Sequence, residues 1–300
     1  MLTQLDETSY LALITARIFE PKSLQTALTN RSRRGLAGKD GRLLILAADH
    51  TARGKLSVGA DPLAVADRYT MLDRIVRALA DPDVDGVLAS ADVLEELAWL
   101  GVLEDRLAIG TMNRGGVIGA QWELDDRMTA YDADHVAEYG LDGGKLLLRI
   151  EDTDPGVART IESVAAAVTQ LADRGIMCLL EPLPYLLNDA GLAVLDPSDE
   201  QLIKVVAIAS GLGSSSAHTW LKIPTTDRMT EVAGATSMPV LMLGGDPGEN
   251  TAQTFAQWEK AMKIPNVRGL VAGRALLYPN AGSVEDAVRQ AADLVHGATR

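Results

Sequence analysis

Four ionisable residues of this 300-residue chain fall inside or directly after short apolar runs. Asp49 follows Leu43–Ala48, and Lys145 opens Leu146-Leu147-Leu148. Glu181 ends Leu179-Leu180, and Lys222 lies within His218-Thr219-Trp220-Leu221-Lys222-Ile223-Pro224. A charge left unpaired in an apolar interior is strongly unfavourable, so such positions call either for pairing or for chemistry. The set suits carbonyl chemistry. A lysine amine attacks a carbonyl only when neutral, and desolvation or a neighbouring cation lowers its pKa from about 10.4. Lys145 near Lys222 would be that cation. An iminium on Lys222 would then stabilise the carbanion released when the adjacent carbon–carbon bond breaks. Asp49 or Glu181 would carry the proton. Plainer readings stand beside this one. Lys222 could be a strand-end lysine paired with Glu181, Lys145 an exposed strand start, and Asp49 a cap for the turn Asp49-His50-Thr51-Ala52.

Convergence of these residues requires elements that bring distant segments together. Eight apolar runs read as buried strands: Leu43–Ala48, Asp85–Ala89, Leu107–Thr111, Lys145–Ile150, Met177–Glu181, Thr219–Ile223, Pro239–Leu243 and Gly269–Gly273. Continuous apolar strands mark a parallel sheet covered on both faces. Amphipathic stretches lie between them, including Asp61–Ala80, Asp154–Arg174, Ser198–Ser210, Asn250–Met262 and Ser283–Val295. Eight strand–helix units predict a single α/β domain, a (β/α)8 TIM barrel over residues 41–300. The rival open sheet predicts a GxGxxG turn after an early strand, and none is present. Residues 1–40 read as an N-terminal helical extension with a basic patch (Arg31, Arg33, Arg34). It would close the barrel bottom or form the contact of a homo-oligomer.

A barrel of this type builds its site at the C-terminal ends of the strands, and the loops after the last two commonly bind phosphate. Gly244-Gly245 and Gly273-Arg274 follow those two runs. Glycine lets backbone N–H groups approach an anion, and Arg274 adds a charge-assisted contact. A phosphorylated small molecule is the expected substrate, and His50 is placed to line the pocket.

Composition excludes several classes. The net charge of −13 argues against nucleic acid or an anionic membrane as partner. No apolar run approaches the length of a bilayer span. The N-terminal segment MLTQLDETSY has no basic or apolar signal region, and the single cysteine, Cys178, suits a reducing cytoplasm. Cys178, inside an apolar run, reads as inert core. The four histidines, His50, His135, His218 and His296, have no metal-binding spacing, so neither metal nor other cofactor is expected. The acidic run Glu123-Leu124-Asp125-Asp126 reads as a solvated loop, with Trp122 and Tyr131 packing it.

The pattern resembles the class I aldolases of the group containing tagatose-bisphosphate and sulfofructose-phosphate aldolases, and more distantly deoxyribose-phosphate and archaeal fructose-bisphosphate aldolases. The matching stretches run in family order over roughly residues 43–280. They are Ala48-Asp49-His50, Gly144-Lys145-Leu146-Leu147, Leu180-Glu181-Pro182, Leu221-Lys222-Ile223-Pro224, Pro239–Gly245 and Leu270–Ala275. The resemblance implies Lys222 as the Schiff-base lysine, with Lys145, Glu181 and Asp49 as its catalytic surroundings. It also implies Gly244, Gly245, Gly273 and Arg274 as the phosphate site. Relatives often carry Ser or Ala where Gly244 stands. More narrowly, the chain resembles an actinobacterial barrel subfamily associated with inositol catabolism. The reaction implied there is cleavage of 2-deoxy-5-keto-gluconate 6-phosphate to dihydroxyacetone phosphate and malonate semialdehyde. Its carboxylate would need a further cation, for which Arg53 and Arg114 are the candidates. Two alternatives stay open: acyl transfer to coenzyme A through the same lysine, and a non-catalytic sugar-phosphate binder.

Overall fold

The computed structural model describes residues 2–38, 40–113, 116–120, 122–245 and 251–297. Its strands are β1 (Leu43–Ala48), β2 (Gly86–Ala89), β3 (Leu107–Thr111), β4 (Gly143–Ile150), β5 (Met177–Leu187), β6 (Ala193–Leu195), β7 (Thr219–Ile223), β8 (Val240–Leu243) and β9 (Val267–Ala272). All but β6 pair in parallel. The ring closes because β1 pairs with both β2 and β9 and because β4 pairs with β5. The fold is a single (β/α)8 barrel. The ninth strand, β6, is an addition that the sequence reading lacked. It folds back antiparallel on the end of β5, pairing Tyr185 with Leu195.

The strands read as unbroken apolar runs because both of their faces are covered. In β1, Leu43, Ile45 and Ala47 point to the barrel axis. They meet Leu88, Leu107, Ile109, Met177, Leu179, Leu241 and Val271 there. Leu44, Leu46 and Ala48 face the surrounding helices. Side chains alternate with period two along a strand. Asp49, Lys145, Glu181 and Lys222 therefore fall in inward rows, two residues on from Ala47, Gly143, Leu179 and Trp220.

The helices are α1 (Glu7–Phe19), α2 (Pro21–Asn30), α3 (Arg68–Leu79), α4 (Ala91–Trp99), α5 (Ala133–Glu138), α6 (Pro155–Asp173), α7 (Asp199–Ser210), α8 (Met229–Gly234), α9 (Thr251–Ala261), α10 (Arg274–Leu277) and α11 (Val284–His296). Six of them start at a side-chain cap. Asp154 accepts from the Gly156 amide, Ser198 from Gln201, and Ser283 forms a capping box with Asp286. The helix expected over Asp61–Ala80 is shorter. Asp61 takes the Leu63 amide at 2.9 Å in a turn, and Asp67 caps α3 by accepting from Thr70 at 2.8 Å. Two carboxylates thus hold residues 61–67 out of the helix.

The N-terminal helices pack beside α4, and the segment after α2 passes under the barrel. Arg31 and Arg33 pair with Asp142 at 2.6 and 3.0 Å, just before β4, and Arg34 pairs with Asp85 at 2.5 Å, just before β2. Leu36 packs against the inner core. The basic patch is thereby matched within the chain, at the strands' N-terminal ends.

Candidate active site

Above the inner apolar layer the barrel carries a layer of charge. Lys145 extends from β4 and is fully buried. Its Nζ lies 2.5 Å from Glu181 Oε2 and 3.5 Å from Asp49 Oδ2. Lys222, from β7, places its Nζ 2.9 Å from Glu181 Oε1. One carboxylate thus bridges two amines, and a second carboxylate backs the deeper amine. The strand-start reading of Lys145 fails, because the side chain points to the axis and is sealed by neighbouring strands.

The two lysines differ in access. A cavity of about 260 Å³ opens at the C-terminal end of the strands. Lys222 and Glu181 line it, whereas Lys145 and Asp49 lie beneath its floor. Leu147, Leu183, Tyr185, Leu195, Leu243 and Val271 give the cavity apolar walls. Its charged rim is strongly one-sided. His50, Arg53, Lys55, Lys222 and Arg274 line it, and Glu181 is the only carboxylate among the described lining residues. In a chain of net charge −13, this is a local cationic field that favours an anionic occupant.

Gly244, Gly245 and Gly273 line the same cavity, as does Arg274, the first residue of α10. Gly245 has φ +64°, a conformation that favours glycine. A side chain at Gly273 would place its Cβ 2.3 Å from the Ala47 carbonyl oxygen. At Gly244 a Cβ would meet that of Ala272 at 2.7 Å. A side chain at Gly244 therefore has no room while the backbone stands as it does. Arg274 is buried and its Nη1 donates to the Ser57 carbonyl at 3.1 Å, which orients its guanidinium. The turn Thr51–Arg53, closed by the Lys55 amide donating to His50 at 3.2 Å, presents His50, Arg53 and Lys55 along one wall.

Residues 41–292 match the Cgl0159-like family model. The chain belongs to the Cgl0159-like family. The crystal structure of Cgl0159 from Corynebacterium glutamicum superposes on it with a TM-score of 0.94 at 44% identity, covering 97% of this chain and 98% of that one. Two fructose-bisphosphate aldolases share the fold at much lower identity. An archaeal enzyme, whose structure has the catalytic Lys covalently bound to the carbinolamine intermediate of the substrate, gives a TM-score of 0.66 at 18% identity. It covers 91% of this chain and 100% of its own. The enzyme from Slackia heliotrinireducens gives 0.62 at 13%, covering 97% and 88%. No curated protein matches the sequence.

In this Cgl0159-like barrel, ten of the eleven residues singled out from the sequence surround or underlie one cavity. The other, Arg114, lies outside the described residues. Three residues that the sequence reading passed over also belong here. Lys55 lines the wall, and Tyr185 lies on the part of β5 beyond the expected strand end. Arg149 is fully buried on β4, four residues beyond Lys145 and on the same inward row. Its Nε is 2.8 Å and its Nη2 2.9 Å from the two Asp126 oxygens. Its Nη1 is 3.2 Å from Glu123 Oε1, and Nη2 also donates to the Glu123 carbonyl. The run Glu123–Asp126 is therefore no solvated loop: Asp126 is fully buried against Arg149. Tyr131 is buried in the main core between barrel and helices, and Trp122 is 61% exposed. Among the described residues, no His, Cys, Asp or Glu cluster could hold a metal ion, and no helix is long and apolar enough to cross a membrane.

Proposed function

We propose that this Cgl0159-like chain is a class I aldolase that cleaves a phosphorylated keto sugar or keto sugar acid through an imine on Lys222. The observation that carries the reading is the asymmetry of the two lysines. Glu181 contacts both, yet only the Lys222 amine opens into the cavity.

The steps follow from that placement. The Lys222 amine attacks the substrate ketone, and its proton passes to a neighbouring base. Glu181, at 2.9 Å, is within direct transfer distance. The carbinolamine loses water to give an iminium. A base removes the proton of the hydroxyl on the carbon beyond the scissile bond, an aldehyde leaves, and the bonding electrons flow into the iminium as an enamine. Protonation at carbon and hydrolysis release the ketone product and restore the amine. Lys145, held between Asp49 and Glu181, fixes the Glu181 carboxylate and balances its charge through the cycle.

The phosphate would lie against Gly244, Gly245 and Gly273, with Arg274 opposing its charge. Arg53 and Lys55 on the neighbouring wall suit a second anionic group, such as the carboxylate of 2-deoxy-5-keto-gluconate 6-phosphate. That substrate would yield dihydroxyacetone phosphate and malonate semialdehyde. The test is turnover of this compound and of tagatose and fructose bisphosphates, read as release of dihydroxyacetone phosphate, by the wild-type protein and by Lys222→Ala. Cleavage of one of them, abolished in the variant, is expected. Undiminished cleavage by Lys222→Ala would remove the proposal.

A further inference from the structure

The carboxylate of Glu123 is shared by two arginines of different standing. Its Oε1 lies 3.2 Å from Nη1 of Arg149, which is sealed in the barrel, and 3.8 Å from Nη2 of Arg53, which lines the cavity. Its Oε2 accepts the Gly119 amide at 2.8 Å. Arg53 is itself anchored, because its Nε donates to the Gly116 carbonyl at 3.1 Å and its own carbonyl accepts from Ile118 at 3.2 Å. The Asn113 side chain ties the start of the same loop to the barrel, exchanging two hydrogen bonds of 2.6 Å with Leu147.

Two consequences follow. Arg53 cannot swing freely, so its reach into the cavity is set by the loop. Its effective charge depends in part on how much of Glu123 it shares with Arg149. A cation whose counter-carboxylate is held mainly by a second arginine keeps more of its field for an incoming anion. Arg149 needs no such sharing, since Asp126 already matches it with a two-pronged pair.

We propose that Glu123 is a specificity-determining residue, setting the strength with which Arg53 attracts an anionic group of the substrate. This rests on the reading that the cavity takes an anionic substrate, and is independent of whether Lys222 forms an imine. The sign is what distinguishes it from a structural role. Glu123→Gln keeps an amide oxygen for Gly119 and drops the charge, so anion binding should tighten. At 3.8 Å the pair is loose, and removing its charge corresponds to about a two- to fivefold change in affinity.

The experiment is titration calorimetry of the full-length protein with inorganic phosphate and, separately, malonate. Wild type, Glu123→Gln, Arg53→Met and the double variant are compared, with melting temperatures taken in parallel. Two- to fivefold tighter binding of at least one anion by Glu123→Gln, lost when Arg53 is also replaced, supports the proposal. Phosphate alone would place a phosphoryl group at Arg53, and malonate alone a carboxylate. Unchanged or weaker binding by Glu123→Gln at an unaltered melting temperature overturns it. So does tightening that persists without Arg53, or no measurable binding by any form. Failure of the imine reading shows separately, as loss of the Lys222-dependent turnover, and would leave these affinities as they are.

Discussion

Replacing Glu181 by Gln removes the charge that holds both lysines and changes little else in shape. The magnitude can be worked from the distances. At an effective dielectric constant of about 20, unit charges 2.9 Å apart attract by about 6 kcal/mol, before desolvation is subtracted. The second pair, at 2.5 Å, is of similar size. Desolvation offsets much of this, and breaking a buried pair typically costs about 3–5 kcal/mol. Asp49, 3.5 Å from Lys145, stays to compensate one lysine, so the lower part of that range is expected. Catalysis should suffer more selectively. A positioned acid–base group contributes about 10²–10⁴ in rate, or about 3–5 kcal/mol of activation energy. Glu181→Gln should therefore fold, melt at a lower temperature and lose kcat by about that factor. The assay is dihydroxyacetone phosphate release under saturating substrate, with urea unfolding as the stability control. A stable Glu181→Gln protein with kcat within threefold of wild type would refute the reasoning.

Burial pushes the Cys178 thiol up to about 12, so the native protein should resist iodoacetamide at pH 8 and react only once unfolded. His296, near the end of α11, is raised to about 9 by its hydrogen bond to Asp85, which with Asp40 outweighs partial burial. Its contribution to stability should be complete below about pH 6.5 and fade as pH rises through about 9. The ring is partly exposed, so screening limits the loss to about 1–2 kcal/mol, and a His296→Gln series in urea should show a flatter slope over that window. Gly273→Ala should cost about 1–3 kcal/mol, because the new Cβ would lie 2.3 Å from the Ala47 carbonyl oxygen, and should weaken phosphate binding in calorimetry.

The barrel was legible because double-sided burial leaves a plain mark. The core of each of the eight barrel strands was visible as an apolar run, and the charged residues interrupting those runs lie together in the structure. Period-two counting from Lys145 through Leu147 would also have reached Arg149. Its partners Glu123 and Asp126 could not be read, since 23–26 residues of chain, α5 among them, separate them from it and such a closure leaves no local pattern. Lys55 was equally hidden. It sits beyond a tight turn at Gly54, φ +72°, and the direction of such a turn depends on tertiary packing. The β5–β6 hairpin was missed because Pro182 reads as a strand end. Pro182 and Pro184 are both paired in register with β4, opposite Leu148 and Ile150. The segment 61–67 misled in the other direction, as helix-forming Leu and Ala sit between two capping aspartates.

Which amine becomes covalently bound is the question closest to the chemistry. The protein should be incubated with dihydroxyacetone phosphate, reduced with borohydride, digested and mapped by mass spectrometry. The adduct is predicted on the peptide containing Lys222, with none on Lys145 and none at all in Lys222→Ala. An adduct on Lys145, or turnover of substrate without any trapped lysine, would contradict the account.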